Sequence, residues 1–335
     1  MSGIRAVTER LIIREATESD ADFILELVNT EGWLRFIGDR NIHDTETARQ
    51  FLLKGPIQFY KTRGYGSYCL TLKDSGIPIG MCGLYRRDTL NFDDLGYALL
   101  PQYEGKGYTS EACAFILEEA RKFNKPGLLA VTSQNNARSI RVLERLQFKK
   151  AGFFRFDQEA EELFCFRLDL MEPPAVEPHM IRISDELKPA EKAIVRELWN
   201  TEYPESLRLN TEADFDKYLE NLKQQRHFLL STIDGNIQGW GCSFHRDGER
   251  WFAMILSRNI QGKGLGTFLL QRIIQEESRL YGWVIDATDF TRSDGSAYPL
   301  PLGFYQKNGF NTEPDVRLDI PAFSAHRIVY QRESN

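Results

Sequence analysis

Two stretches decide how this sequence reads. The first is Leu99-Leu100-Pro101-Gln102-Tyr103-Glu104-Gly105-Lys106-Gly107-Tyr108-Thr109 and the second is Leu256-Ser257-Arg258-Asn259-Ile260-Gln261-Gly262-Lys263-Gly264-Leu265-Gly266. Each follows an apolar, strand-like run and leads into a helical pattern, so Gly-Lys-Gly falls where a strand ends and a helix begins. The first N–H groups of a helix have no partner within it. The helix dipole adds partial positive charge at the same end. Glycines let an anion come close to the backbone, so each stretch is a candidate phosphate site.

Two familiar nucleotide loops do not fit. A P-loop needs four residues between its first glycine and Gly-Lys-[Ser/Thr], and Tyr108 and Leu265 do not supply that ending. The dinucleotide fingerprint reads G-x-G-x-x-G, whereas Gly262, Gly264 and Gly266 alternate. What remains is [Gln/Arg]-x-x-Gly-x-[Gly/Ala]. Gln261, Gly264 and Gly266 satisfy it, while the first copy has Glu104 and Thr109 at the outer positions. For either copy alone, an ordinary glycine-rich turn is the plain alternative.

The chain has 335 residues, room for two domains of ordinary size. A net charge of −6 without a basic block argues against nucleic acid as the partner. Five scattered cysteines (Cys69, Cys82, Cys113, Cys165 and Cys242) show no metal-ligand spacing, so reduced, mostly buried thiols and no metal are expected. The first residues lack the apolar core of a signal peptide. No run of about 18 apolar residues exists to span a membrane. A cytoplasmic protein without a membrane partner is the expectation.

Taken in order, residues 10–14 read as a strand, and Phe23, Ile24, Leu27 and Val28 form a helical stripe. Residues 45–53 suggest a second helix. Residues 66–73 and 77–85 form a hairpin around Lys73-Asp74-Ser75-Gly76, and 93–100 is the strand that delivers the first Gly-Lys-Gly. The following helix carries Cys113, Ile116, Leu117 and Ala120 on one face. A strand at 128–132, a helix at 136–146 and strands near 151–156 and 162–170 complete the unit. Glu172-Pro173-Pro174-Ala175-Val176-Glu177-Pro178 then reads as a linker, since three prolines cannot lie inside a helix or central strand.

The order restarts beyond it. A strand at 180–183 is followed by helices near 188–199 and 212–224 and a hairpin of 227–233 with 237–244. A strand at 251–256 enters the second Gly-Lys-Gly. A helical stripe (Phe268, Leu269, Ile273, Ile274), a strand at 283–287 and a short helix at 304–308 follow. This is an internal repeat at domain scale. It gives two units, 1–172 and 180–335, with 173–179 between them.

Several stretches together resemble a known family. Thr8-Glu9-Arg10-Leu11-Ile12-Ile13-Arg14, Ile79-Gly80-Met81-Cys82-Gly83-Leu84, Asp94-Leu95-Gly96-Tyr97 and the run from Asn136-Ala137-Arg138-Ser139 to Leu146-Gln147-Phe148 are similar to motifs of the RimJ/RimL-type acetyltransferases of the GNAT superfamily. The likeness covers roughly residues 8–170. The second half resembles the wider superfamily through Gln261 to Gly266 and Phe304-Tyr305-Gln306-Lys307-Asn308-Gly309-Phe310, with an unusually long stretch at 288–300. The resemblance implies an α/β fold of the α+β kind in tandem. Each copy would be a mixed, mostly antiparallel sheet flanked by helices. Two central strands would splay apart, and acetyl-CoA would lie between them.

The resemblance also implies a site. Its cofactor-binding part comprises Leu99, Glu104, Gly105, Lys106, Gly107, Tyr108, Thr109 and Asn136 in the first unit. In the second it comprises Leu256, Gln261, Gly262, Lys263, Gly264, Leu265 and Gly266. Acetyl transfer to an amine needs a proton acceptor, donors for the thioester oxygen and a proton source for the thiolate. Asp94 stands where the family is proposed to take the amine proton, and Gly96 and Ala98 on the same strand face would leave room for a substrate. A solvated strand-end carboxylate beside Asp93 is the alternative. Ser139 is implied near the CoA sulfur, with helix capping by Asn136 and Ser139 as the alternative. Tyr305 occupies the place that often protonates the thiolate, or else is a buried aromatic. Leu143 is its counterpart in the first unit, and Trp251 is the counterpart of Asp94 in the second.

The expected function is transfer of an acetyl group from acetyl-CoA to a primary amine, either a protein N-terminus or a small amine. Attack would be direct, in a ternary complex, with both units binding acetyl-CoA. A non-catalytic acyl-CoA sensor, or one active unit beside a structural partner, is the alternative. The acceptor is not legible, and an oligomer is left open.

Overall fold

The computed structural model describes residues 3–155, 160–171, 177–286, 290–320 and 322–332. They form two compact units. One lies within Met1–Arg87, Phe92–Arg155 and Ala160–Glu177, the other within Pro178–Asn335 together with Asp88–Asn91. Of the expected linker, residues 172–176 lie outside the described residues.

The first unit runs β1 (Ile4–Val7), β2 (Leu11–Arg14), α1 (Ala21–Val28), α2 (Glu31–Phe36), α3 (Thr45–Leu52), α4 (Gln58–Arg63), β3 (Ser67–Leu72), β4 (Pro78–Arg86), β5 (Asp93–Leu99), α5 (Tyr108–Lys122), β6 (Gly127–Ser133), α6 (Ala137–Arg145), β7 (Lys149–Phe154) and β8 (Leu163–Asp169). Its sheet has the order β1-β2-β3-β4-β5-β6-β8-β7. All neighbours are antiparallel except β5 and β6, which are parallel and meet only at Asp94↔Leu129. That pair lies near the start of both strands, so the rest of β5 and β6 run on unpaired with each other. The result is a wedge that opens toward the C-terminal ends.

The second unit runs β9 (His179–Ser184), α7 (Pro189–Glu202), α8 (Glu212–Glu220), β10 (Lys223–Thr232), β11 (Ile237–Arg246), β12 (Glu249–Leu256), α9 (Leu265–Gln275), β13 (Arg279–Ile285), α10 (Leu302–Lys307), β14 (Asn311–Ile320) and β15 (Phe323–Gln331). The sheet order is β14-β15-β13-β12-β11-β10-β9. Again one parallel pair interrupts an antiparallel sheet, and β12 and β13 meet only at Trp251↔Tyr281. The two units therefore share the α/β architecture of a mixed sheet split by one wedge.

Each sheet is covered on both faces. In the first unit Ala112, Cys113, Ile116, Leu117 and Ala120 of α5 bury against Leu11, Leu70, Leu95 and Leu128. On the other face Ile24, Leu27 and Val28 of α1 and Ala48 and Leu52 of α3 cover Cys69 and Met81. In the second unit Leu265, Leu269, Leu270, Ile273 and Ile274 of α9 pack on Phe228, Leu230, Phe252 and Met254. Val195 and Trp199 of α7 and Phe215 and Leu219 of α8 pack on Leu229, Trp240 and Trp251. Fully burying one such aliphatic or aromatic side chain is worth roughly 1.5–3 kcal/mol, so the two helices that start at the glycine loops are held by their apolar stripes rather than by propensity.

The structure corrects some expected boundaries. The helix expected to 224 ends at Glu220, and Lys223 already pairs with His245. The polar run Lys223-Gln224-Gln225-Arg226 carries no alternation, and only its partner strand makes it β. Strand β13 begins at Arg279, four residues before the expected start, because Arg279↔Gln331 to Ile285↔Ala325 form one continuous ladder with β15. Five elements went unassigned in the sequence: β1, the short helix α2 behind the Thr30 cap, α4 beyond the kink at Gly55-Pro56, and the C-terminal hairpin strands β14 and β15.

Candidate functional site

The two Gly-Lys-Gly loops have one backbone. Each follows a three-residue 3-10 turn, Pro101–Tyr103 in one and Arg258–Ile260 in the other. An extended residue comes next, Glu104 (φ −67°, ψ 156°) or Gln261 (φ −64°, ψ 152°). Two left-handed glycines follow at φ 74° and 85° (Gly105, Gly107) and at 75° and 80° (Gly262, Gly264). A side chain with a Cβ is strained at such angles. Gly107 and Gly264 are the N-caps of α5 and α9, and neither helix start receives a side-chain cap. By contrast α3, α6 and α8 are capped by Asp44, Asn136 and Thr211. Exposed, uncapped N–H groups at the open end of a wedge make each loop a candidate anion site.

The surroundings of the two loops differ. In the first, Glu104 pairs with Arg138 of α6. The Arg10 guanidinium bonds the Lys106 carbonyl at 2.8 Å and Glu111 at 2.7 Å, and lies 4.6 Å from the centre of the Tyr108 ring. Leu99 is buried at the wedge wall, and Thr109 lies in the first turn of α5. In the second, the Gln261 amide folds back to donate to the Leu256 carbonyl at 2.9 Å. Lys263 is exposed, and Gly266 lies against the Phe304 ring, where an added Cβ would sit 3.2 Å from it. The clamp by Arg10 and the neutralisation of Glu104 by Arg138 were not legible in the sequence, since each partner lies far along the chain.

Asp94 sits at the join of the first wedge, paired across to Leu129 and 1% exposed. It is not a solvated strand end. Arg87 grips it with two bonds, Nε to Oδ1 at 2.9 Å and Nη2 to Oδ2 at 2.8 Å. Burial raises the Asp94 carboxyl above the usual range, with Arg87 opposing the rise. Neighbouring Asp93 has separate partners, Lys125 at 2.6 Å and the Tyr65 hydroxyl at 2.7 Å. The room expected above Gly96 is filled by the Tyr85 ring, which an added Cβ at Gly96 would meet at 2.7 Å. Tyr85 is the cross-strand partner of Asp94, and strand pairing placed its ring there.

Asn136 and Ser139 form the first turn of α6. The Ser139 N–H donates to Asn136 Oδ1 at 3.1 Å, so the capping geometry is present. The Ser139 hydroxyl lies 3.0 Å from the Tyr97 hydroxyl, which also donates to the Ser139 carbonyl at 3.3 Å. Tyr97 is on β5 and α6 follows β6, so this contact joins the two walls of the wedge. Sequence reasoning assigned Tyr97 no role.

In the second unit Tyr305 is buried in an aromatic cluster with Phe252, Phe304 and Phe310, ring centres 5.1–5.6 Å away. Burial raises its phenol above the ordinary value. At the join, Trp251 stacks near Tyr281 and Trp283 at 5.5 and 5.2 Å, so no carboxylate stands where Asp94 does. A buried carboxylate arrives from elsewhere. Glu202, the last residue of α7, accepts the Arg258 backbone N–H at 2.8 Å just before the second loop. Asp286 pairs with Arg317 and His326, while Asp289 lies outside the described residues. Among the described residues, no group of three or more His, Cys, Asp or Glu side chains is arranged to hold a metal ion. The five cysteines are buried and unbridged. No helix of the described residues is long and apolar enough to cross a membrane.

A family profile described as "Acetyltransferase (GNAT) domain" matches residues 10–149, and one described as "Acetyltransferase (GNAT) family" matches residues 192–310. The chain is 27% identical over 149 residues to the uncharacterized N-acetyltransferase YnaD of Bacillus subtilis, covering 44% of this chain and 84% of the relative. It is 26% identical over 152 residues to YoaA of the same organism, with the same shares covered. Among solved structures, a ribosomal-protein-S5-alanine acetyltransferase from Vibrio fischeri matches with a TM-score of 0.44 and 20% identity, over 49% of this chain and 95% of its own. With one profile on each wedge-split sheet, the chain belongs to the GNAT acetyltransferase family and carries two of its domains in tandem.

Proposed function

We propose that this protein moves an acetyl group from acetyl-CoA to a primary amine, a peptide N-terminus or a small amine, by direct attack in a ternary complex. Each unit holds one acetyl-CoA in its wedge. We set the domains at 1–172 and 180–335, joined by 173–179. The reading is carried by one observation, the shared backbone of the two uncapped glycine loops at the open ends of the two wedges.

The residues present suit such a substrate. The N–H groups at the starts of α5 and α9 receive the diphosphate, with Lys106 and Lys263 beside them. The unpaired strand edges of the wedge offer backbone partners to the pantetheine arm. Acetyl-CoA supplies an activated acyl group as a thioester. Asp94 accepts the amine proton through water, a task favoured by its raised pKa. Backbone N–H groups of the wedge stabilise the thioester oxygen as charge develops on it. Ser139 in the first unit and Tyr305 in the second return a proton to the departing sulfur.

A second reading keeps one catalytic unit beside one that only binds. Trp251, packed in the place of Asp94, favours it for the second unit. Thiol release from acetyl-CoA, measured across a panel of small amines and peptides, tests the proposal, with calorimetry counting acetyl-CoA sites. Turnover with two sites per chain is expected. Binding without thiol release toward any amine would overturn transfer in favour of a sensor, and one site per chain would overturn the pairing of sites.

A further inference from the structure

We propose that Tyr97 positions Ser139 and recharges it with a proton, so that the pair protonates the departing thiolate in the first unit. The inference rests on the acetyl-transfer reading above.

Counting back from Gly105 and Gly262, Tyr97 takes the place of Met254. Counting back from Phe148 and Phe310, Leu143 takes the place of Tyr305. Each unit thus has one phenol and one aliphatic side chain at the same two places, with the places exchanged. Both members of each pair pack into the core cluster on the same face of their sheet. Tyr97 lies against the cluster that holds Leu143, and Met254 shares a cluster with Tyr305. The first unit therefore keeps a phenol at its wedge, reaching in from the strand β5 rather than from the helix.

The geometry says what this phenol touches. Tyr97 lies three residues beyond Asp94, where β5 has parted from β6. Its hydroxyl is 3.0 Å from Ser139 Oγ. The Ser139 N–H donates to Asn136 Oδ1 and the Ser139 carbonyl accepts from the Tyr97 hydroxyl, so the backbone that carries the serine hydroxyl is held from two directions. Burial raises the Tyr97 phenol, which therefore keeps its proton at neutral pH.

The amine nitrogen bonds the acetyl carbon, the carbon–sulfur bond breaks, and the sulfur leaves with the electron pair. Sulfur takes the Ser139 Oγ proton, Ser139 takes the Tyr97 proton, and the phenolate is reprotonated from water. The amine proton leaves by way of Asp94. Tyr97 acts through Ser139, so it is a positioning residue.

The test uses the full chain with the second loop disabled by Gly264→Asp, and compares Tyr97→Phe, Ser139→Ala and the double variant. Tyr97→Phe keeps the ring in the core and removes only the hydroxyl. Its kcat is expected to fall about tenfold with KM and calorimetric affinity for acetyl-CoA unchanged. In the Ser139→Ala background, Tyr97→Phe should then do nothing further. Multiplying effects, a change confined to KM, or unimpaired turnover in Tyr97→Phe would each overturn the proposal alone. Absence of acetyl-CoA binding or turnover before Tyr97 is touched would instead overturn the parent reading, and this one with it.

Discussion

Replacing Gly264 by aspartate isolates the anion-binding claim. Gly264 is the N-cap of α9 at φ 80°, and nothing lies within 4 Å of an added Cβ. Aspartate tolerates the left-handed region better than most residues. The strain of a Cβ at this angle still costs about 1–2 kcal/mol. The fold should therefore hold, with the melting temperature moved by only a few degrees. The carboxylate, however, bonds the same N–H groups that would hold a diphosphate. At about 5 Å and an effective dielectric constant near 25, one like-charge pair costs roughly 2.7 kcal/mol. That is about a hundredfold in Kd. Gly107→Asp should do less, about tenfold, because Arg10 Nη2 lies 3.3 Å from that Cβ position and would partly neutralise the new charge. Titration calorimetry with acetyl-CoA reads both. The wild type should show two sites, Gly264→Asp one tight and one weakened, and Gly107→Asp a milder loss at the other site. Two unchanged sites in Gly264→Asp would refute the reasoning outright.

Three further predictions follow from other residues. Asp94→Asn should lower kcat of the first unit about a hundredfold while acetyl-CoA binds as before, read with the second loop disabled; unchanged kcat would remove Asp94 as the proton acceptor. His227 is 1% exposed, accepts the Trp240 Nε1–H at 3.2 Å, and is pushed by burial from 6.5 down to about 4. The unfolded chain takes up that proton first as the pH drops. Stability of the second unit should thus be full above about pH 6.5 and decline by about 3 kcal/mol toward pH 4. Urea titrations at several pH values check this, and an equal decline in His227→Gln would rule out His227 as its source. Gly83→Ala should destabilise the first unit by about 2 kcal/mol or more, since the new Cβ would fall 2.1 Å from the Gly66 carbonyl oxygen and 2.4 Å from Ser67 Cα. A denaturation midpoint equal to wild type would contradict that.

Much of the fold was legible because it is written in neighbouring residues. The periodicity of Cys113, Ile116, Leu117 and Ala120 encodes the buried face of α5, and all four are buried. Left-handed turns at Gly105, Gly107, Gly262 and Gly264 are likewise local, which is why both loops could be read. Strand β14 was less accessible, with a burial pattern that never settles into alternation along its length. Its place depends on β15, whose own sequence lies further along the chain.

The sequence by itself determined the repeat, the two glycine loops and the residue types available for acetyl chemistry, because spacing along a chain sets helix faces, strand faces and permitted backbone angles. Tertiary structure alone decided which of those residues meet. Arg87 closes on Asp94, Tyr85 fills the space over Gly96, Tyr97 reaches Ser139 across the wedge, and Glu202 arrives beside the second loop. Each of these contacts depends on strand register or helix packing between separated segments, and a one-residue slip of a strand would turn its side chains to the opposite face.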